Sequence, residues 1–258
     1  MRGTSVRMAA PRETRTALQA LGEAASLGTT PVRPTLNLDG GEHDDEPEEL
    51  YGLADVVHVA CGGHAGDEAS MVRVTRACLS SGTRIGAHPS YDDREGFGRR
   101  ARTVAADVLS SSIAEQCARL AAIAARHGVP LVSVKPHGAL YHAAHTDETT
   151  ARACVEGVTR ALGIVAIVGP AGGALERAAR AAGVAFLREG FADRGVRPDG
   201  SLIPRGEPGA MIEDGALAAA QAHALAARGE VDTLCIHADT PGALAVARAV
   251  RAALGPKT

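Results

Sequence analysis

The chain has 258 residues, a formal net charge of −3, 45% hydrophobic and 22% charged residues, and aromatics at only 2%. That length fills one large or two small domains with a full core. The charge balance and the scarcity of aromatics exclude a basic nucleic-acid footprint and a base- or sugar-stacking platform, and no apolar run approaches the roughly 18 residues of a membrane span.

Residues 1–33 carry five arginines against two glutamates and lack the continuous apolar stretch of a secretory signal. They read as an N-terminal extension, either disordered or one helix over the Leu/Ala spacing from Arg15 to Leu27. Residues 34–258 read as a single domain. Its five cysteines, Cys61, Cys78, Cys117, Cys154 and Cys235, form no CxxC pair, which fits a reducing compartment and a cytoplasmic home.

From residue 34 onward, short β-branched or apolar runs at 34–39, 55–60, 83–88, 130–135, 164–168, 184–188 and 231–237 alternate with helical stretches. The helices are expected at about 68–81, 105–127, 148–162, 171–182, 214–228 and 241–254. Asp67 and Thr240-Pro241 read as helix starts, and Gly128, Gly163, Gly183 and Gly229 as left-handed helix ends. This alternation predicts parallel strands buried between helices.

Six of the seven runs end in polar residues, in chain order LNLDGGE, VACGGHAGD, IGAHPSYDD, VKPHGALYH, REGFADR and IHADTPG. Parallel α/β proteins carry their chemistry on the shared rim of C-terminal strand ends. A ring gathers six such ends better than one open sheet edge, so a seven-stranded (β/α) barrel is expected over a doubly wound sheet. No dinucleotide fingerprint or P-loop occurs.

The first end supplies Asn37 and Asp39, two apart on one strand face, and Glu42. Asp44 to Glu49 beyond it read as a solvated acidic loop. The second end supplies His64 in a glycine-rich turn, and His58 lies mid-strand. The third supplies His88, followed by Arg99 and Arg100 on a GFGRR loop suited to gripping a carboxylate or phosphate. The fourth holds Lys135 and His137, again two apart. Lys135 stands out because this chain has 25 arginines and only two lysines. A sheltered lysine serves as base, nucleophile or fixed anion anchor, or simply pairs with Asp39 or Glu189. The sixth end gives Glu189, Asp193 and Arg194, then a Gly/Pro-rich stretch over 190–213 with Asp199 and Arg205. The seventh gives His237 and Asp239 beside a helix start. The set suits acid–base hydrolysis with oxyanion support. A divalent metal held by Asp39, His64 and His88 is a second option, although no tight HxH spacing marks it.

The stretches LNLDGGE, ACGGHAGD, GAHPSYDDREGFGRR, VKPHGALY, EGFADR, DGSLIPR, GAMI and HADTPGA, in that order over residues 35 to about 250, resemble the LamB/YcsF family. The resemblance implies a seven-stranded barrel of the glycoside hydrolase/deacetylase type. It implies ATP-dependent opening of the lactam 5-oxoproline to L-glutamate by a 5-oxoprolinase of which this chain would be the A subunit. Separate B and C subunits would be its partners, with ATP consumed by the complex and not bound here. On that reading Asp39, His64, His88, Lys135, His137, Glu189 and His237 form the catalytic set. Asn37, Glu42, Arg99, Asp193, Arg194, Arg205 and Asp239 bind substrate. The sequence departs from the family pattern at Thr35, Gly63, His142, Gly195-Val196 and Ala238. Two other readings stay open: a stand-alone metal-dependent amide or ester hydrolase, and a non-catalytic carrier protein for a small acid.

Overall fold

Seven strands alternate with helices in the computed structural model, which describes residues 33–197 and 201–257. In chain order they are β1 (Thr35–Gly40), α1 (Glu48–Leu53), β2 (Val56–Ala60), α2 (Glu68–Ser81), β3 (Arg84–His88), α3 (Ala106–Arg126), β4 (Leu131–Val134), α4 (Gly138–Thr146), α5 (Glu148–Leu162), β5 (Ala166–Gly169), α6 (Ala174–Ala181), β6 (Phe186–Phe191), α7 (Gly215–Arg228), β7 (Thr233–His237) and α8 (Ala243–Leu254). The strands close in sequence order into a barrel, with β1 paired to both β2 and β7. Every strand pair is parallel. The expected seven-stranded (β/α) barrel is the fold found. The readings for residues 1–32 and for Asp199 lie outside the described residues.

Alternation along β1 divides the molecule into two interiors. Leu36 and Leu38 join the apolar core between barrel and helices, with Val57, Ile85, Leu120, Leu175 and Val246. Asn37 and Asp39 face the other way, into the barrel. There they meet His58, Ser133, Lys135, Glu189, Thr233 and Cys235, all buried. A (β/α) barrel is usually filled by branched aliphatic side chains, whereas this one is filled by a polar network. His58 Nε2 lies 3.0 Å from Ser133 Oγ, so the mid-strand histidine is a packed member of that lining.

Local chemistry sets the element ends. Asp67 caps α2, accepting from Ser70 N at 2.8 Å while Ser70 Oγ accepts from Asp67 N. Gly128, Gly163, Gly183 and Gly229 all take positive φ where helices end. Thr240-Pro241 does not start the last helix. Thr240 Oγ1 donates to Asp193 at 2.7 Å, and α8 begins two residues later behind Gly242.

The expected solvated loop over Asp44–Glu49 contains a buried member and the start of a helix. Glu46 is 7% exposed and accepts from the backbone amides of Gly41, Glu42 and His43 and from Tyr51 Oη. Its charge is offset by four donors, which is what permits burial. Glu48 and Glu49 form the first turn of α1, favourable at a helix N-terminus. Glu46→Gln keeps the shape but loses the ionised acceptor, so a loss of about 1.5–3 kcal/mol is expected by denaturant melt. An unchanged midpoint would show the turn is held by something else.

Candidate active site

At the C-terminal end of the barrel lies a cavity of about 450 Å³, a size typical of small-molecule sites. Lys135 forms its floor. The ammonium is 2% exposed and pairs with Asp39, Asn37 Oδ1 at 3.0 Å and Glu189 Oε1 at 3.2 Å. Cys235 Sγ lies 3.2 Å away. Three oxygen acceptors match the three N–H donors of an ammonium. Burial alone would pull the lysine down, but Asp39 and its neighbours hold it well above its usual value. Burial would likewise raise the Asp39 carboxyl, while His88 and Lys135 hold it well below the carboxylate range. The pair is therefore ionised, and Lys135 is a fixed positive charge and not a base at neutral pH. Of the readings of this lysine, the ion pair with Asp39 and Glu189 is the one the structure contains.

Glu189 is held from three sides. Asn37 Nδ2 donates to Oε1 at 3.0 Å, beside Lys135, and Tyr141 Oη donates to Oε2 at 2.7 Å. Tyr141 is a site residue that the sequence does not single out. It stands on α4, a helix that in sequence looks like the tail of a strand-end motif. Gly138 opens that helix with φ +55°, and a Cβ there would lie 2.6 Å from the Gly98 carbonyl oxygen. Only glycine lets the two loops touch.

His237 forms a second unit. Its Nδ1 lies 3.0 Å from Asp193 Oδ1, and its Nε2 faces Asp39 Oδ2 at 4.0 Å. The imidazole lines the cavity, with Phe191 stacked on it. Burial would lower it, but Asp193 and Asp39 raise it above its ordinary value of 6.5. Asp193 is fully buried and also accepts from His237 N and Thr240 Oγ1. It sits behind the histidine, away from the cavity lining, and thus positions His237 where a substrate contact was expected.

The third unit gathers Glu42, His64, His88 and His137. His64 Nε2 lies 2.9 Å, and His137 Nδ1 3.1 Å, from Glu42 Oε1. His88 Nε2 is 3.6 Å from the same oxygen and 3.4 Å from Asp39 Oδ2. The expected trio Asp39, His64 and His88 is only partly brought together: His64 turns to Glu42, His88 stands between Asp39 and Glu42, and Asp39 also pairs with Lys135. Burial takes His64 down to about 3 and also lowers His137.

The arginines frame the mouth. Arg99 and Arg205 both reach Asp239 Oδ2, at 2.8 and 2.7 Å, closing a bridge between separate loops. Arg99 also lies over Phe97. Arg194 directs its guanidinium to the carbonyls of Ala210 at 3.0 Å and Ile203 at 2.7 Å, so it fixes the loop that carries the apolar wall Leu202-Ile203-Pro204. Arg100 turns outward to Asp93 and Glu95.

A protein-family model described as the LamB/YcsF family matches residues 36–258. The chain is 44% identical over 239 residues to the A subunit of 5-oxoprolinase from Methylococcus capsulatus, covering 86% of this chain and 92% of that protein. It is 41% identical over 238 residues to the protein of the same name from Streptomyces coelicolor, covering 85% and 94%. Among solved structures, the lactam utilization protein from Thermus thermophilus superposes with a TM-score of 0.80 at 34% identity, covering 86% of this chain and 96% of that one. Among the described residues no helix is long and apolar enough to cross a membrane.

Proposed function

The chain belongs to the LamB/YcsF family, and from that premise we propose that it is the A subunit of a 5-oxoprolinase, hydrolysing the lactam of 5-oxo-L-proline to L-glutamate with ATP used by partner B and C subunits. The observation that carries the reading is the cavity floor. A permanent ammonium, two carboxylates and an aspartate-backed imidazole converge there, which is the set a ring-opening hydrolysis needs.

Lactam hydrolysis adds the elements of one water: hydroxyl to the ring carbonyl carbon and hydrogen to the departing nitrogen. His237, its Nδ1–H tied to Asp193, has Nε2 free to take the proton from water and return it to nitrogen as the C–N bond breaks. Lys135 places positive charge where the carbonyl oxygen becomes anionic. Asp39 and Glu189 keep that charge in place. Arg99 and Arg205 stand at the mouth to meet the substrate carboxylate. An unstrained lactam is a poor electrophile, and phosphorylation of its oxygen by the ATP-using partners would make it a good one. The water above then opens the ring to an acyl phosphate and the free amine, with Lys135 beside the phosphorylated oxygen. A second water releases phosphate from the acyl phosphate to leave glutamate.

The test is reconstitution. The purified chain with its B and C partners is expected to release glutamate and ADP in equal amounts from 5-oxoproline and ATP. Glutamate release by the chain alone without ATP would defeat the partner reading. An inactive complete complex would defeat the substrate reading.

A further inference from the structure

Two histidines of the third unit have their tautomers dictated by backbone carbonyls. His88 Nδ1 lies 2.7 Å from the Lys135 carbonyl, which can only accept, so Nδ1 carries a proton and in the neutral ring Nε2 carries a lone pair, with Asp39 Oδ2 also 3.4 Å from that nitrogen. His137 Nε2 lies 2.9 Å from the Phe97 carbonyl, so its Nδ1 carries the lone pair. These two lone-pair nitrogens are 3.0 Å apart, on rings crossing at 89°, and both face Glu42 Oε1 at 3.6 and 3.1 Å. Three electron-rich atoms at such distances repel unless a cation, a proton or a metal ion, lies among them.

Spacing favours the metal. Ligands at about 2.0–2.1 Å around a tetrahedral zinc ion lie roughly 3.3 Å from one another, and the three edges here bracket that length. A backbone carbonyl holding the far nitrogen of a ligand histidine is also how such ligands are usually oriented. His64 takes a different part. Its ring is parallel to His137 at 3.6 Å, so its lone pair cannot aim at the same point, and its Nε2–H instead donates to Glu42. Another group, Asp39, Cys235 and His237, has comparable spacing, but there the Lys135 ammonium already supplies the cation.

We propose that Glu42, His88 and His137 form a binding site for a divalent first-row transition metal of the zinc type, oriented by the Lys135 and Phe97 carbonyls, with the remaining coordination position open to the cavity. All three residues line that cavity. The site would bring a Lewis acid alongside the Lys135 ammonium, and its existence does not depend on the lactam reading.

Chelator-stripped protein titrated with Zn²⁺ in a calorimeter should bind one equivalent per chain. Co²⁺ should give the intense visible bands of a four-coordinate ion. His88→Ala and Glu42→Gln should each weaken Zn²⁺ by about 100-fold or more, the upper range for loss of even an outer partner, while Cys235→Ser leaves affinity unchanged. Equal binding by wild type and His88→Ala would overturn the assignment, as would a Cys235→Ser loss matching that of His88→Ala. If the ligand variants fail to fold, the wild-type cobalt spectrum decides alone: the pale spectrum of the aqueous ion means that a proton, not a metal, occupies the site.

Discussion

Lys135→Met is expected to lower turnover of the reconstituted enzyme by about 10²–10³-fold, the usual cost of removing one oxyanion-stabilising group. It is also expected to destabilise the fold by roughly 3–5 kcal/mol, because Asp39 and Glu189 would face each other buried and without a counter-ion. The two losses separate by pH. In the wild type, Asp39 is held below its ordinary value of 3.8, so its contribution to stability is present above that pH and fades as the pH falls through the depressed value. In the variant only His88 and His237 still oppose burial at Asp39, so its carboxyl rises from its wild-type position, and the deficit should be large at pH 7 and shrink on acidification. Lys135→Arg should not rescue activity, because a planar fork does not fit three acceptors arranged around a point charge. Turnover within a few-fold of wild type in Lys135→Met would remove this residue from the mechanism.

Asp193→Asn is expected to cut kcat by about 10³–10⁴-fold, as happens when the carboxylate behind a catalytic imidazole is neutralised. The more telling readout is the acid limb of the pH–rate profile. Asp193 and Asp39 raise His237 above 6.5, so activity that needs its neutral form should climb only above that pH. Without the Asp193 charge, burial dominates and the limb should move to lower pH. Stability obeys the opposite sign. The raised value stabilises protonated His237 fully below 6.5, and that gain is lost as pH rises through the folded value. Thr240→Val removes the hydroxyl bond to Asp193 without touching the imidazole. It should lower the melting temperature but leave the limb in place, which isolates the electrostatic role from a merely structural one.

The barrel was legible because its strands are short apolar runs whose polar residues gather at one end, a pattern only a parallel rim explains. Lys135 was legible for a compositional reason: in a chain that uses arginine almost everywhere, a lysine marks a place where a guanidinium will not do. The short helices were not. EELYGL follows an acidic run that reads as solvated, and GALYHAAHT follows a strand with no spacer. Neither α1 nor α4 therefore shows in the pattern, and Tyr141 is hidden with the second. Which carboxylate serves which base was also hidden. Asp39 and Glu42 are three residues apart, and only their directions of projection send one to Lys135, between His88 and His237, and the other to His64 and His137. Asp193 and Asp239 read as equals in sequence. Burial makes the first a support for His237, and the arginines make the second a strut across the mouth.

The pairing of the first strand with the last bears on how the protein comes into being. Lys135, at the end of β4, meets Asn37 across 98 residues and Cys235 across 100, and Asn37 reaches Thr233 across 196. A chain emerging from the ribosome holds Asp39 from the outset, gains Lys135 midway and receives Thr233, Cys235 and His237 only near its end. Until β7 docks on β1, the charged floor has no complete set of partners and water has free access to it. Such distant contacts close late and slowly. Maturation of the floor and sealing of the barrel are therefore one event, and a fragment ending before β7 should neither fold stably nor retain any of the site.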